Sequence, residues 1–393
     1  MPAGNASAGE ILELVRSGRV RTRRELQEVT GLSRSTLALR MTQLTSAGYV
    51  REVGEVVGSA GRPAKILSFD ASRQLVLAVD LGAQHCHIAL MDGGGTVLSE
   101  SSSELRIAAE PDEVLRFVAR RAGELVSRSG RALAEVTGIG VGIPGPVRFQ
   151  TQRPNSPPVM PGWHDYPVAE RLGELLGVPA FLDNDANLMA LGESRARYPE
   201  SPSVLFVKVG SGIGAGLILH GSAERGIAGG AGDIGHIRIA GESSGQVCTC
   251  GAIGCLNTEA GGRALGRQLS ERGIEVSSTR DVARLLSTGD AVAVSLVEHA
   301  GRLLGEVLAT SVALLNPAVL VLGGLIPATS PQFVAAVRET IFQRTVPLAT
   351  RELTIAVSAL GERAAVQGAR HLVIDQTFSA AAVDARLAAS VSA

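Results

Sequence analysis

The sequence has few aromatic residues, few charged residues and few cysteines for its length. Of its 393 residues, 3% are aromatic and 19% are charged, whereas 45% are hydrophobic and 47 are glycines. This hydrophobic content excludes a disordered chain, and the many glycines are typical of a globular α/β protein with tight turns. The length predicts two or three domains.

The sequence also shows neither a signal-peptide pattern nor a segment typical of a membrane span. Its N-terminal stretch has no basic segment followed by an apolar run. The longest apolar region starts at Val307 and is interrupted by Asn316 and Pro317, which favours a buried helix followed by a buried strand. We therefore expect a cytoplasmic protein that does not contact the membrane.

The formal net charge of −1 is unevenly distributed along the chain. Up to Ile66 there are ten Arg and Lys against six Asp and Glu, and the remainder has 27 against 32. The short N-terminal part is therefore positive and suited to a polyanion, whereas the long part has no such bias.

The N-terminal part shows three helical patterns in quick succession. The first ends at Gly18 and has its apolar residues on one side. In the second, Thr22 is an N-cap and Glu25 completes a capping box. Gly31 then permits a sharp turn, and Ser33 caps the third helix. The predicted inward residues are Ile11, Leu12, Leu14, Val15, Leu37, Met41 and Leu44. Two helices joined by a Gly-containing turn fit a helix-turn-helix, with the third helix as the recognition helix.

The third helix presents short polar side chains and one Arg that can approach base edges, together with a second Arg better placed for phosphate. The next segment predicts two strands around a glycine-rich tip, a wing whose Arg could enter a minor groove. A small helical oligomerisation module with a solvated basic face is the alternative. The predicted DNA contacts are Arg34, Ser35, Thr36, Arg40 and Arg62.

After the wing, the pattern changes to strands separated by glycine turns. Residues 75–100 predict strand, turn, strand, turn and strand, and residues 203–226 repeat that order. Helical stretches at 111–129 and 168–176 lie between them. Two similar β units imply an internally duplicated α/β body with a cleft between its halves. Glycine turns at the cleft would let backbone N–H groups approach a nucleotide phosphate, although ordinary hairpins show the same pattern.

Three of the four cysteines lie in the segment CTCGAIGC. A Cys-x-Cys spacing strains a local disulfide, whereas the thiolates of Cys248, Cys250 and Cys255 can converge on one ion if the loop folds around its glycines. In a reducing compartment such a group binds metal more often than it forms disulfides. Three buried reduced cysteines are the alternative. Cys86 stands alone and is assigned to packing.

Six segments follow one another along the body. They are GIGVGIPGPV, NSPPVMPGW, LDNDANLMALGE, GGAGDIGH, CTCGAIGC and LNPAVLVLGG. With these segments the chain resembles the ROK family, which groups sugar-responsive repressors with sugar kinases, and the N-terminal part makes it similar to the repressor branch. The resemblance covers nearly the whole chain. It implies an actin/hexokinase-like fold, a sugar in the cleft between two lobes, a structural zinc ion, and homodimers or homotetramers.

The expected fold class is therefore α/β, with an N-terminal winged helix-turn-helix domain at 1–70. A two-lobed, actin/hexokinase-like (duplicated ribonuclease H-like) ROK domain is expected at 71–393. Lobe 1 is predicted at about 74–187 and lobe 2 at about 188–375, with the C-terminal helix returning to lobe 1.

The resemblance also implies the residues of each site. Asp185 stands where the family's kinases have a carboxylate that takes the proton of the attacking sugar hydroxyl. Asp233 stands where many members have Glu, and capping of a turn is the alternative role for such Asp and Asn residues. The implied sugar-binding residues are Asn155, Asn184, Asp185, Asp233, His236 and Asn257. The implied zinc ligands are His236, Cys248, Cys250 and Cys255. The implied nucleotide-binding residues, in vestigial form, are Asp80, Gly82, Gly210, Ser211, Gly212, Gly323 and Gly324.

Two departures from the family's kinases make ATP a doubtful ligand. The first phosphate hairpin reads Asp-x-Gly-Gly-Thr in those kinases, whereas Ala83 and Gln84 stand at its last two positions here. A glycine that permits close backbone approach and a hydroxyl that would meet phosphate are both missing. The family's "GCxE" ends in Asn257, which replaces a carboxylate with an amide. We expect weak or no kinase activity.

The sequence thus predicts a DNA-binding transcriptional regulator, a repressor in carbohydrate metabolism, rather than an enzyme. Its expected partners are a double-stranded DNA operator, a sugar or sugar-phosphate effector, and further copies of itself. One alternative is an active ATP-dependent sugar kinase with an accessory DNA-binding domain. Another is a regulator with an inactive pocket that responds to a protein partner.

Overall fold

The computed structural model describes residues 5–56, 64–239, 241 and 243–391. The helices are α1 (Ala8–Arg16), α2 (Arg23–Thr30), α3 (Arg34–Ser46), α4 (Pro111–Arg128), α5 (Val168–Leu176), α6 (Asp185–Arg197), α7 (Leu256–Ala260), α8 (Gly262–Ser270), α9 (Thr279–Ser287), α10 (Ala291–Leu315), α11 (Leu325–Thr329), α12 (Pro331–Arg344), α13 (Pro347–Thr350), α14 (Ala364–Thr377) and α15 (Ala380–Val391). The strands are β1 (Val50–Val56), β2 (Ala64–Phe69), β3 (Leu75–Leu81), β4 (His85–Asp92), β5 (Val97–Glu104), β6 (Val136–Ile143), β7 (Val147–Arg148), β8 (Arg153–Pro154), β9 (Ala180–Asn184), β10 (Ser203–Val209), β11 (Ile213–Leu219), β12 (Ser222–Glu224), β13 (Val319–Gly323) and β14 (Thr354–Val357). Short 3₁₀ turns occur at Ala71–Arg73, Leu133–Glu135, Ile234–His236 and Gly361–Arg363.

The N-terminal unit, made of α1 to α3 and the β1–β2 hairpin, is the predicted winged helix-turn-helix. Ser33 caps α3 as predicted, and Gly31 ends α2 in a left-handed conformation. Thr22 accepts from the Glu25 N–H, but the Glu25 carboxylate accepts from the N–H of Arg21 instead of Thr22, so the predicted capping box is only half formed. The antiparallel pairing of β1 with β2 confirms the wing strands. Arg62, which the sequence analysis predicted at the wing tip, lies outside the described residues.

The body contains two five-stranded sheets that repeat the same topology. Their strand orders are β5-β4-β3-β6-β9 and β12-β11-β10-β13-β14. In each sheet three consecutive strands are antiparallel, and two further strands extend the sheet in parallel from the first of the three. The predicted internal duplication is therefore confirmed, and the fold is an actin/hexokinase-like body behind a winged helix-turn-helix.

Two helices cross between the sheets and join the lobes. Helix α6 packs on β10 and β11, whereas α14 packs on β3 and β6, and the two helices pack against each other. A Cβ at Gly192 of α6 would collide with the backbone of Ala364, and one at Gly368 of α14 would collide with the backbone of Leu188. The crossing is therefore close because both helices carry glycine there.

The N-terminal unit shares a hydrophobic core with the C-terminal helices of the body. Val373, Ile374, Phe378 and Val383 lie in the same buried cluster as the inward residues of α1 and α3. The Phe378 ring is 5.3 Å from that of Tyr49 and 5.0 Å from that of Phe69 in edge-on arrangements. The last helix, α15, packs against α1. Helices α1 and α3 therefore share one buried core with α14 and α15.

Charged side chains complete the same junction. Asp375 of α14 pairs with Arg16 of α1 and accepts from both terminal nitrogens of Arg195 of α6, at 3.1 and 2.6 Å. Asp375 therefore joins three helices: α1 of the N-terminal unit, α14 on the lobe 1 sheet and α6 on the lobe 2 sheet. Among the described residues, no helix is both long and apolar enough to cross a membrane.

Candidate functional site: a cleft with a Cys₃His cluster

Helix α6 begins with the predicted Asn-Asp pair. The Asn184 side-chain oxygen caps the helix by accepting from the N–H groups of Ala186 and Asn187, at 2.9 and 3.2 Å. Its amide nitrogen donates to the Gly145 carbonyl at 3.0 Å. Asn184 therefore serves the capping role that was the alternative to sugar binding, and the same bonds fix Asp185 at the first helical position.

Asp185 is buried and forms an ion pair with Lys208 of β10. Burial raises the pKa of Asp185 above its ordinary value, and the negative charge of Asp80 adds to that effect while Lys208 opposes it. Burial alone would lower the pKa of Lys208, but Asp185 and Asp80 together raise it. Lys208 thus remains an ammonium ion at neutral pH, paired with the carboxylate that the family resemblance implies as the base of a kinase.

Asp80, near the end of β3, lies beside His85. Its Oδ2 lies 3.2 Å from Nε2 of His85, and Oδ1 is buried without a hydrogen-bond partner among the described residues. Burial alone would raise the pKa of Asp80, but His85, Lys208 and His87 hold it below its ordinary range. The His85 ring also covers Gly82, because a Cβ added there would collide with it. The backbone of the first predicted phosphate hairpin is therefore covered by a side chain.

The second predicted phosphate hairpin, at 210–212 between β10 and β11, is held by the start of α8 and by Asn257. The carbonyls of Gly210 and Ser211 accept from the N–H groups of Gly262 and Arg263, at 2.9 and 3.1 Å. The Asn257 side-chain oxygen accepts from the N–H of Ile213 at 2.6 Å. Asn257 thus binds the hairpin instead of pointing freely into the cleft.

The third predicted nucleotide segment, Gly323 and Gly324 after β13, has a packing role. A Cβ at Gly323 would collide with the Phe206 ring, and one at Gly324 with the backbone of Val209. Gly324 also has a φ of 104°, which strains any other residue. These glycines let β13 lie close to β10, whether or not a nucleotide binds.

The four predicted metal ligands come together in one loop region. The ligating atoms of His236, Cys248, Cys250 and Cys255 all lie within 4.8 Å of one another. Nδ1 of His236 is 3.4 Å from Sγ of Cys248, and Sγ of Cys250 is 3.6 Å from Sγ of Cys255. Zn–S bonds of about 2.3 Å at tetrahedral angles separate two sulfur ligands by about 3.8 Å. The cluster therefore fits a tetrahedral zinc ion in both donor type and spacing.

A buried carboxylate that the sequence did not single out supports the Cys₃His loop. Glu259 accepts from Ser243 Oγ at 3.1 Å and from the N–H and Oγ of Ser244, at 3.1 and 2.7 Å. These contacts engage Oε1 of Glu259 with the loop at 243–244. On the other side, Nε2 of His236 lies 3.9 Å from Oδ1 of Asp233.

Of three further residues, Asn155, Trp163 and Cys86, only Asn155 was predicted to line the cleft. The Asn155 amide donates to the Ala228 carbonyl at 3.0 Å, which connects the loop after β8 with the loop after β12. Trp163 follows Asn155 but is fully buried in the lobe 1 core and donates to the Ile107 carbonyl at 3.0 Å. Cys86 is buried, as expected for packing, and burial raises the pKa of its thiol to about 12.

The N-terminal half of α3 presents the predicted DNA-contacting side chains. Arg34 and Ser35 are exposed, while Thr36 and Arg40 are half-buried. Leu39 lies on the same helix with 60% of its surface exposed. No sequence pattern distinguished Leu39 from the core positions around it.

The architecture and this cleft define a two-lobed sugar-kinase-like body joined to a winged helix-turn-helix. The ROK family model matches residues 76–376, and the chain belongs to this family. It is 26% identical over 383 residues to the xylose repressor of Caldicellulosiruptor bescii, which covers 94% of this chain and 95% of that protein. It is 27% identical over 318 residues to a glucokinase of Halalkalibacterium halodurans, which covers 77% of this chain and 96% of that enzyme.

Among solved structures, the chain resembles a ROK family transcriptional regulator that is a homologue of the Escherichia coli Mlc protein. The TM-score is 0.79 at 24% identity, and the match covers 97% of this chain and 98% of the other. This likeness supports the fold over the whole length, including the N-terminal unit. The glucokinase match, by contrast, covers about as much of this chain as the body alone.

Proposed function

We propose that this protein is a DNA-binding transcriptional repressor, with α3 as its recognition helix and the two-lobed body as its sugar sensor. The observation that carries the proposal is the continuous core between the N-terminal unit and the helices α14 and α15. Through this core, a change in the angle between the lobes would reorient the recognition helix. A sugar changes DNA affinity only as far as it prefers one of the two arrangements.

The proposed DNA contacts follow from the exposure of α3. Arg34, Ser35 and Thr36 would approach base edges from the N-terminal end of the helix, and Arg40 and the wing residue Arg62 would contact phosphate or the minor groove. Two copies in a homodimer would place their recognition helices in successive major grooves, about one helical turn apart. A rotation between the copies would then break the register with the operator.

The proposed effector is a sugar bound at the cleft, near Asn155, Asp185, Asp233 and His236. Several similar proteins are named for xylose or N-acetylglucosamine, so a neutral sugar of this kind is the first effector to test. Carboxylate and amide groups at the start of a helix suit the hydroxyl groups of a sugar.

We further propose that the Cys₃His cluster holds a structural zinc ion. His236 and the three cysteines would supply all four ligands, which leaves no open position for catalysis. The ion would fix the loop between β12 and α7. Because His236 would bind through Nδ1, its Nε2 would be fixed in orientation beside Asp233 and available to a sugar hydroxyl.

The test is a gel-shift titration on DNA from upstream of the protein's own gene, at fixed salt, with a panel of sugars and sugar phosphates. We expect a specific complex that one sugar releases. Arg34→Ala should weaken the specific complex by about 1–3 kcal/mol, whereas Arg284→Ala, on α9 of the body, should leave it unchanged. A complex that does not depend on sequence, or that Arg34→Ala does not weaken, would contradict the proposal.

A sugar kinase with an accessory DNA reader is the second candidate, because Asp185 is retained and glucokinases are among the relatives. ATP turnover that Asp185→Asn abolishes would favour it. We expect no such turnover, since Lys208 occupies the Asp185 carboxylate and His85 covers the first hairpin. Phosphoryl transfer depends on positioning, and a displaced group there costs on the order of a hundredfold in rate.

A further inference from the structure

Two buried carboxylates lie near each other in the cleft, and they come from elements of different lobes. Asp80 ends β3 of lobe 1, and Asp185 begins α6, which packs on lobe 2. Their relative exposures are 8% and 4%. Two such carboxylates without a counter-ion repel each other and are costly to bury. In proteins that bind a metal–nucleotide complex, carboxylates placed in this way coordinate a hard divalent cation.

Lys208 supplies the counter-ion from the protein itself. Its ammonium group forms an ion pair with Asp185 and interacts electrostatically with Asp80. It comes from β10, the central strand of the lobe 2 sheet, so β-strand pairing on both sides fixes its backbone. His85 provides a second hydrogen-bonding group, to Oδ2 of Asp80. Oδ1 of Asp80 remains without a hydrogen-bond partner among the described residues.

We propose that the Lys208 ammonium group is the resident counter-ion of Asp80 and Asp185, and that it excludes a divalent metal ion, and with it a metal-bound nucleotide, from this end of the cleft. The inference rests on the proposed function, because it makes the body a sugar site that works without nucleotide. It also assigns a specificity role to a residue that no sequence motif indicated.

The positive charge of Lys208 opposes the binding of a divalent cation beside the two carboxylates. With Lys208 protonated, the two carboxylates and the ammonium group have a net charge of about −1, and one oxygen of Asp185 is already occupied. A divalent ion entering beside Lys208 would meet a positive charge at close range in a partly desolvated site. Without the ammonium group, the same oxygens form a dianionic site that attracts Mg²⁺ or Mn²⁺.

The experiment is a titration of the full-length protein with Mn²⁺ alone, followed by the electron paramagnetic resonance signal of free Mn²⁺. Three proteins are compared: the wild type, Lys208→Met, and Lys208→Arg, which keeps the charge. We expect no Mn²⁺ site in the wild type or in Lys208→Arg at Mn²⁺ concentrations up to about 1 mM. Lys208→Met should have one site, with a dissociation constant at least about tenfold below that limit. The site should disappear again in Lys208→Met combined with Asp80→Asn. Mn²⁺ prefers oxygen ligands, so the Cys₃His cluster should not contribute.

Two results would overturn the inference. One is a Mn²⁺ site in the wild type that Asp80→Asn removes, and the other is a folded Lys208→Met protein that gains no site. If Lys208→Met does not fold, Lys208→Gln takes its place, because its amide can still donate to Asp185 while the charge is removed. Operator binding is measured separately without metal or nucleotide. If the wild-type protein showed no sequence-specific operator binding, the proposed repressor function would be contradicted. The Mn²⁺ titration would still decide the role of Lys208.

Discussion

Cys250 is the exposed member of the Cys₃His cluster, whereas Cys248 and Cys255 are buried. Its substitution therefore tests the metal with little effect on the hydrophobic core. The loop around it has several residues in left-handed conformations, among them Gly251 and Gly254, at φ 87° and 82°. A bound metal ion would add to the hydrogen bonds that already order this loop.

We expect Cys250→Ser to lose bound zinc and to weaken sugar binding at the same time. Three remaining ligands hold Zn²⁺ much less tightly than four, and the orientation of His236 depends on the ion. Zinc per chain is measured by plasma mass spectrometry, and sugar binding by calorimetry. Cys86→Ala, in the lobe 1 core, is the control and should keep its zinc. Full sugar affinity in a zinc-free Cys250→Ser protein would show that the two sites are not coupled.

His371 of α14 lies at the junction between the N-terminal unit and the body. Its ring nitrogens lie 3.3 Å from Arg195 Nη1 and 2.5 Å from Arg370 Nη2. Burial lowers the pKa of His371 well below its ordinary value, and the charges of Arg370, Arg195 and Arg16 lower it further. The neighbouring Asp375 is paired with two of these arginines. His371 is therefore neutral in the folded protein.

A neutral buried histidine makes the protein less stable in acid. The unfolded chain gains a proton below about pH 6.5, whereas folded His371 does not, so the free energy of unfolding should fall as the pH drops below that value. One proton contributes at most about 1.4 kcal/mol per pH unit. Urea unfolding at pH 7, 6 and 5 should show a shallower loss for His371→Gln than for the wild type. The exposed His299→Gln should follow the wild type, and an unchanged slope in His371→Gln would show that His371 is protonated in the fold.

At the scale of elements, the α6–α14 crossing is the contact that connects the lobes. It begins at the cleft, where Asn184 and Asp185 start α6, and it ends at the junction, where Arg195 pairs with Asp375. One rigid helix therefore has the candidate sugar site at one end and the DNA-binding unit near the other. In the proposed repressor, this arrangement would be the physical route of the signal, because a tilt of α6 would move both ends together.

Gly368→Ala should destabilise the protein by about 1–3 kcal/mol, since the added methyl group overlaps the backbone of Leu188 and the helices must separate. The measurement is the urea midpoint. Gly123→Ala is the matched control: Gly123 is also helical, but its Cβ would have open space. That control should be neutral or stabilising by up to about 1 kcal/mol, from helix propensity. Equal effects of the two substitutions would mean that the crossing is not tightly packed.

At the scale of the whole molecule, Asp375 connects three helices from three parts of the chain. Asp375→Asn keeps the size of the side chain but removes the charge that holds Arg16 and Arg195. We expect this variant to bind the operator but to lose most of the change in affinity that the sugar causes. Coupling between two sites is typically about 5–150-fold, and we expect it to approach one here.

The readout for Asp375→Asn is operator affinity by fluorescence anisotropy, with and without the effector found in the gel-shift panel. Glu135→Gln removes a surface partner of Arg131 in lobe 1 and serves as the control. Its response to sugar should be that of the wild type, because exposed ion pairs contribute little. A full sugar response in Asp375→Asn would show that the signal travels by another route.

Elements whose signals are local could be predicted from the sequence. Caps at Ser33 and Thr22, the spacing of Leu37, Met41 and Leu44, and the repeated strand and glycine pattern all predicted structure that is present. The convergence of the three cysteines was likewise predictable from their spacing, whereas His236 as the fourth ligand followed from the resemblance to the ROK family. Such patterns depend on hydrogen bonds and side-chain periods that span a few residues, so they can be read without the rest of the chain.

Which residues come into contact over long distances in the sequence, and what those contacts do, could be seen only in the tertiary structure. Lys208 reaches Asp185 across 23 positions, Arg195 reaches Asp375 across 180, and Arg16 reaches Asp375 across 359. Their meeting depends on the packing of two sheets, two crossing helices and an N-terminal unit. No local pattern encodes such contacts, because a lysine in a strand or an aspartate in a helix shows the same sequence signal whether its partner is water or a buried charge.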